Sequence, residues 1–212
     1  MLLRRSDSRA LLLALFAALV LWPRPSPGTV AEQRQRLPPP AACESEVEGY
    51  WKAHVYDSAY RDWHVFTLEV HKVEGSATGL RGQIRVEAWN GGAQDQEPGT
   101  CRGGRLHFAG HMPAEGGIEG GVIRFRATSF VLDKVLCGRF GGYSNDNFSG
   151  KIDPQTQEFQ SINDDGNRGE QATVFRRIGC FDSGPPPAVS VARPPLAPSK
   201  PQRGGCSCDP TR

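Results

Sequence analysis

The 212-residue chain carries 25 Lys+Arg against 23 Asp+Glu, a formal net charge of +2 that averages unlike parts. Between Cys43 and Cys180 the charge is −4, the two ends together hold +6, and 21 of 25 glycines but only three of 17 prolines lie inside. One folded unit with a single core follows; its acidity argues against nucleic-acid binding, and no run inside it approaches the ~20 apolar residues of a membrane span.

At the N-terminus, Arg4, Arg5 and Arg9 precede Ala10–Trp22, 13 residues without a charge. A basic stretch followed by a short apolar run reads as an export signal over residues 1–28, with small residues permitting cleavage after Gly28 or after Ala31. The signal's removal brings the net charge to −1. The mature chain is then expected outside the cytoplasm (extracellular, periplasmic or cell-surface) without a transmembrane segment. Residues 29–42 read as a Pro-rich linker, 43–181 as the domain, and 182–212 as a disordered Pro-rich tail ending in Gly204-Gly205-Cys206-Ser207-Cys208.

Within the domain, apolar and polar residues alternate. Phe66, Leu68 and Val70 share one strand face; Leu80, Ile84, Val86 and Ala88 share another. Leu106, Phe108 and Met112 oppose His107, Ala109 and His111, and Ile123, Phe125 and Ala127 oppose Arg124, Arg126 and Thr128. Turn chemistry at Gly91-Gly92, Gly103-Gly104, Gly116-Gly117, Gly141-Gly142 and Asp153-Pro154 separates the strands. The class is all-β: a single antiparallel barrel of eight or nine strands, with an open β-sandwich as the alternative. An apolar-x-Gly-x-apolar pattern centred on Gly49, Gly82, Gly120 and Gly150 supports closure, because a missing side chain lets a strand coil sharply.

Six cysteines in an exported chain suggest disulfides. Cys43 and Cys180 mark the composition breaks and Cys101 and Cys137 lie between them, so the expected pairs are Cys43–Cys180 and Cys101–Cys137. The role of Cys206 and Cys208 stays open.

Catalytic signatures are sparse, and no catalytic residue, cofactor or metal is assigned. His107 and His111 would lie ~13 Å apart on a strand, too far to share an ion. Two loops rich in oxygen ligands, residues 144–147 and residues 163–167 with Glu170, are ordinary turn chemistry as much as calcium sites, and Asn147-Phe148-Ser149 is a glycosylation sequon. Tyr56, Tyr60, Trp63 and Trp89 stand at strand ends among charges and are the candidate ligand-binding residues, expected to line a barrel mouth.

Gly49-Tyr50-Trp51 at the domain start, followed by repeated Leu-x-Gly-x-Ile and Phe-Ser-Gly-Lys-Ile units, resembles the lipocalin and avidin (calycin-type) class of secreted barrels. That resemblance implies binding of a small apolar or aromatic ligand in the barrel mouth without catalysis. The alternatives are a structural or adhesion protein using the outer sheet face, and a hydrolase or isomerase in which His64 or His71 meets a carboxylate inside a pocket.

Overall fold

The computed structural model describes residues 28–101, 103–162 and 172–181. The export-signal run, the second oxygen-rich loop and the C-terminal tail therefore lie outside the described residues. Among the described residues nine strands follow one short helix: α1 (Val30–Arg36), β1 (Gly49–Asp57), β2 (Asp62–Lys72), β3 (Gly79–Asn90), β4 (His107–Glu119), β5 (Val122–Ala127), β6 (Val131–Cys137), β7 (Asn147–Lys151), β8 (Glu158–Ile162) and β9 (Ala172–Gly179).

All strand pairings are antiparallel, in the order β7-β5-β4-β3-β2-β1-β9-β8. The two ends of that path, β7 and β8, are consecutive in the chain, and Ser149 N donates to Ser161 Oγ across them (2.8 Å). The sheet is thus nearly closed and barrel-shaped. β6 lies off the path: β4 is long enough to pair with β6 over its first half and with β5 over its second.

The alternation read from the sequence sorts inside from outside. Interior side chains form cross-strand rows. Trp51, Leu68, Ile84 and Met112 make one row, every member fully buried. Toward the end that carries the β1–β2 turn, the next row is Ala53, Phe66, Val86 and Gly110, and the last is Val55, His64, Ala88 and Phe108. Both of these rows mix small residues (Ala53, Gly110, Ala88) with rings (Phe66, His64, Phe108), whereas the row on the other side of Trp51 is small throughout: Gly49, Val70, Gly82 and Ala114. Phe125, Phe148, Phe159 and Phe175 complete the base, each at most 2% exposed.

Gly82 and Gly150 behave as the repeat predicts. A Cβ on Gly82 would stand 1.8 Å from the Glu69 carbonyl oxygen, and one on Gly150 2.2 Å from that of Gln160. Gly120 departs from the expectation: it lies outside the strands, in the β4–β5 turn at φ +57, with open space around it. The strand contact on β4 belongs instead to Gly116, whose Cβ would meet the Arg124 oxygen.

Both expected disulfides are present, Cys43–Cys180 (Cα–Cα 5.6 Å) and Cys101–Cys137 (5.2 Å). The first lies at the base, where Arg177, 2% exposed, points inward beside it. Its guanidinium sits 5.3 Å from the Trp51 ring and donates to the Ser45 and Glu48 carbonyls and to Gln157 Oε1.

The segment 29–42 is more than a linker. Thr29 caps α1, and the helix docks where β1 and β9 part: those strands pair only from Tyr50 to Lys52. Gln33, fully buried, donates to Ala172 O (2.7 Å) and accepts from Val174 N (2.8 Å). Arg36 donates to His54 O (3.1 Å). Side-chain groups thus satisfy edge backbone groups that water or a strand would otherwise have to meet. Among the described residues no helix is long and apolar enough to cross a membrane.

Candidate functional site

The four aromatic residues singled out by sequence do not line the barrel mouth. Trp63 and Trp89 are register partners on the face opposite Phe66 and Ala88, so they lie outside the barrel. Tyr56, Trp63 and Trp89 form a buried cluster with Val65 and Ala93. Both indole N–H groups are engaged by the loop after β3: Trp63 donates to Gly92 O and Trp89 to Asp95 O, each at 2.9 Å. Arg36 covers the Trp63 ring at 5.0 Å. Tyr60 is apart from them, 60% exposed in the β1–β2 turn. The cluster is a packing device that fixes α1 and the loop after β3 onto the sheet.

His54 shows how dry this outer cluster is. Its ring lies 5.0 Å from Trp63 and 5.9 Å from Trp89, and its buried Nε2 has no hydrogen-bond partner among the described residues. Burial, then the charges of Arg36 and Lys52, push its pKa down to about 4, against a smaller opposing contribution from the Gln96 backbone. Above the ordinary value of 6.5 both folded and unfolded chains hold it neutral. From 6.5 down to about 4 only the unfolded chain takes up the proton, so stability falls as pH drops through that window, by up to about 3 kcal/mol. Urea midpoints between pH 7 and 4 should show the slope, and His54→Gln should flatten it.

The residues that do cover the mouth flank β6. Residues 138–146 carry the chain from β6 to β7, and Phe140 and Tyr143 from this loop, with Phe130 before β6, pack onto inward-facing Phe108. Ring centroids lie 4.9 Å (Phe108–Phe140), 5.5 Å (Phe108–Tyr143), 5.1 Å (Phe130–Tyr143) and 5.7 Å (Phe130–Phe140) apart. His64, stacked on Phe66 at 5.7 Å, meets Tyr143 from across the barrel at 6.3 Å. The Tyr143 hydroxyl donates to Asp146 Oδ2 (3.0 Å), and Asp146 is 1% exposed. Phe130, Phe140 and Tyr143 are half-buried, unlike the base.

Phe130 fits where Gly110 leaves the wall low: a Cβ on Gly110 would stand 2.5 Å from Phe130 Cζ. Ala88, the register partner of Phe108, is a second small residue at this end. The loop carries Gly138, Gly141 and Gly142, with φ of +73 and +134 at the first and last. An aromatic lid on a glycine-bearing loop, over short wall residues, is a site where one apolar body can replace another. Sequence reasoning missed it because Phe130, Phe140 and Tyr143 sit in loops, where alternation assigns no face; Gly141-Gly142 between two aromatics was the available signal.

Of the two histidines considered for catalysis, His71 meets a carboxylate: its Nε2 lies 3.0 Å from Glu69 Oε1 on the outer face, where His71 also lines a cleft and its ring stacks on Phe181 at 3.9 Å, whereas His64 lies among the mouth aromatics. His107 and His111 pair with Glu87 and Asp133 on the outer face. Among the described residues no group of three or more His, Cys, Asp or Glu is placed to hold a metal ion. No protein-family model, curated protein or solved structure matches the chain.

Proposed function

We propose that this chain is an exported, non-catalytic barrel that takes up a small apolar or aromatic ligand at its mouth, where the ligand replaces the lid rings. The observation that carries the reading is the difference in burial along the barrel. Phe125, Phe148, Phe159 and Phe175 are at most 2% exposed, whereas Phe130, Phe140 and Tyr143, packed on Phe108 with Phe130 against Gly110, are half-buried. Such rings act as a built-in occupant whose displacement lowers apparent affinity. Two disulfides persist in an oxidising compartment and support export. The antiparallel order and Trp51 at the base are in keeping with the calycin-type resemblance.

Titration with the apolar fluorophore phenylnaphthylamine tests this. One molecule should bind per chain, Ala88→Leu should weaken binding at least tenfold by filling the mouth, and Phe140→Ala should strengthen it several-fold. Overpacking by Ala88→Leu should cost only about 1–3 kcal/mol of stability, so the variant remains folded for the assay. Equal binding by all three proteins, or none by any, would overturn the reading. A structural or adhesion module is the second reading, favoured by the solidly filled base; it predicts the outcome without binding.

A further inference from the structure

The outer face carries a second feature, independent of the mouth. Following the register from strand to strand, His71 pairs with Arg81, Arg81 with Glu115, Glu115 with Arg126, and Arg126 with Asn147. Register partners share a sheet face, so these five side chains form one row across β2, β3, β4, β5 and β7. The next pair along, Arg124 and Ser149, flanks it.

Three clefts follow this row. One of about 550 Å³ is lined by His71, Arg81 and Pro113; it meets one of about 620 Å³ at Glu115 and Thr128. That cleft in turn meets one of about 430 Å³ at Arg124 and Arg126, which ends at Asn147 and Ser149. The β5–β6 connection forms a wall, held by Thr128 donating to the Pro113 carbonyl from its backbone (2.9 Å) and its hydroxyl (3.1 Å). Gly116 and Gly117 leave the floor low.

Arg81, Arg124 and Arg126 are exposed, and none forms an ion pair within 4.0 Å among the described residues. They concentrate positive charge on one strip of a domain whose net charge is −4. Arg81 and Arg126 are two strand spacings apart, ~10 Å, comparable to the length of a disaccharide unit, and Glu115 lies between them as a hydrogen-bond acceptor.

We propose that this strip binds a linear acidic polysaccharide. Carboxylate or sulfate groups meet the arginine forks, and Glu115, Asn147 and Ser149 meet intervening hydroxyls. The chemistry disfavours other polyanions. A single-stranded nucleic acid wants successive aromatic platforms for its bases, whereas this row presents guanidinium, carboxylate, imidazole and amide groups. An extended acidic peptide pairs with a sheet edge, whereas this row crosses five paired strands.

Affinity electrophoresis of the intact protein against polygalacturonate, neutral dextran and a single-stranded oligonucleotide decides it. Polygalacturonate should retard the protein, with affinity falling as salt rises, and Arg81→Gln with Arg126→Gln should weaken retardation at least tenfold. Phenylnaphthylamine binding at the mouth should be unaltered by those exposed substitutions, which certifies the fold and separates this site from the other. Absence of retardation by polygalacturonate, equal retardation by dextran, stronger retardation by the oligonucleotide, or an undiminished double variant would each overturn the proposal.

Discussion

Replacing Trp63 with alanine should destabilise the protein by about 3–5 kcal/mol, the usual cost of deleting a fully buried aromatic side chain, and leave ligand affinity unaltered in the fraction that remains folded. Trp63 is 0% exposed, and its indole packs among the rings of the outer cluster. It lies 4.9 Å from Tyr56, 5.0 Å from His54 and 6.3 Å from Trp89, under the Arg36 guanidinium. Truncation opens a cavity, frees the Gly92 carbonyl and removes the surface on which α1 is held. In a domain of this size the melting temperature should drop by roughly 10 °C or more. Tyr60→Ala, at an exposed turn position, should change stability by under ~0.5 kcal/mol. Thermal melts of the two variants check both statements. An unchanged melt for Trp63→Ala accompanied by lost affinity would return these aromatics to a binding role.

Removal of Cys43–Cys180 by paired serine substitution should cost roughly 4–5 kcal/mol, against roughly 3–4 kcal/mol for Cys101–Cys137, by the chain-entropy argument for closed loops. The loops span sequence separations of 137 and 36 residues. The larger loop ties the two ends of the domain together where other bonds converge. Ala41 N donates to Arg177 O (2.9 Å), and Arg176 donates to the Leu37 and Pro38 carbonyls. Phe181 follows directly, stacking on His71 and meeting Tyr50 edge-on at 5.1 Å. Denaturant unfolding of the two double variants without reductant gives the ordering. A greater loss for Cys101–Cys137 would contradict it.

Much of the architecture was legible because a strand's period of two leaves little choice. Phe66-x-Leu68-x-Val70 and Leu80 through Ala88 mark their inward faces, and β1 to β5 follow. The same parity already places Trp63 and Trp89 outside: each has an odd number in a strand whose core residues are even. Reading them as mouth residues weighed side-chain type over position. α1 escaped notice because seven residues between prolines carry little helical periodicity, and its stability comes from Gln33 and Arg36 meeting strand edges far away in sequence. Gly120 matched the glycine pattern yet forms a turn, since the pattern cannot tell a strand interior from a hairpin tip. The lid was hidden for a different reason: Phe130, Phe140 and Tyr143 acquire a shared direction only once β4 pairs with both β5 and β6.

The two proposed sites divide the molecule by chemistry. The mouth presents apolar rings at one end of the barrel, and the outer row presents guanidinium and carboxylate groups on the wall of the same barrel. A barrel held on an acidic matrix by its wall keeps its mouth free, because the two sites use opposite faces of shared strands: Phe66 and His71 lie on β2, Ala88 and Arg81 on β3, Phe108 and Glu115 on β4.

The claim that the mouth holds a small ligand in place of the lid is tested most directly by native mass spectrometry of the protein recovered from its natural source. A complex carrying one small apolar molecule per chain is expected, lost when Ala88 is replaced by leucine. A protein that flies at its bare polypeptide mass under the same gentle conditions, in both forms, would contradict it.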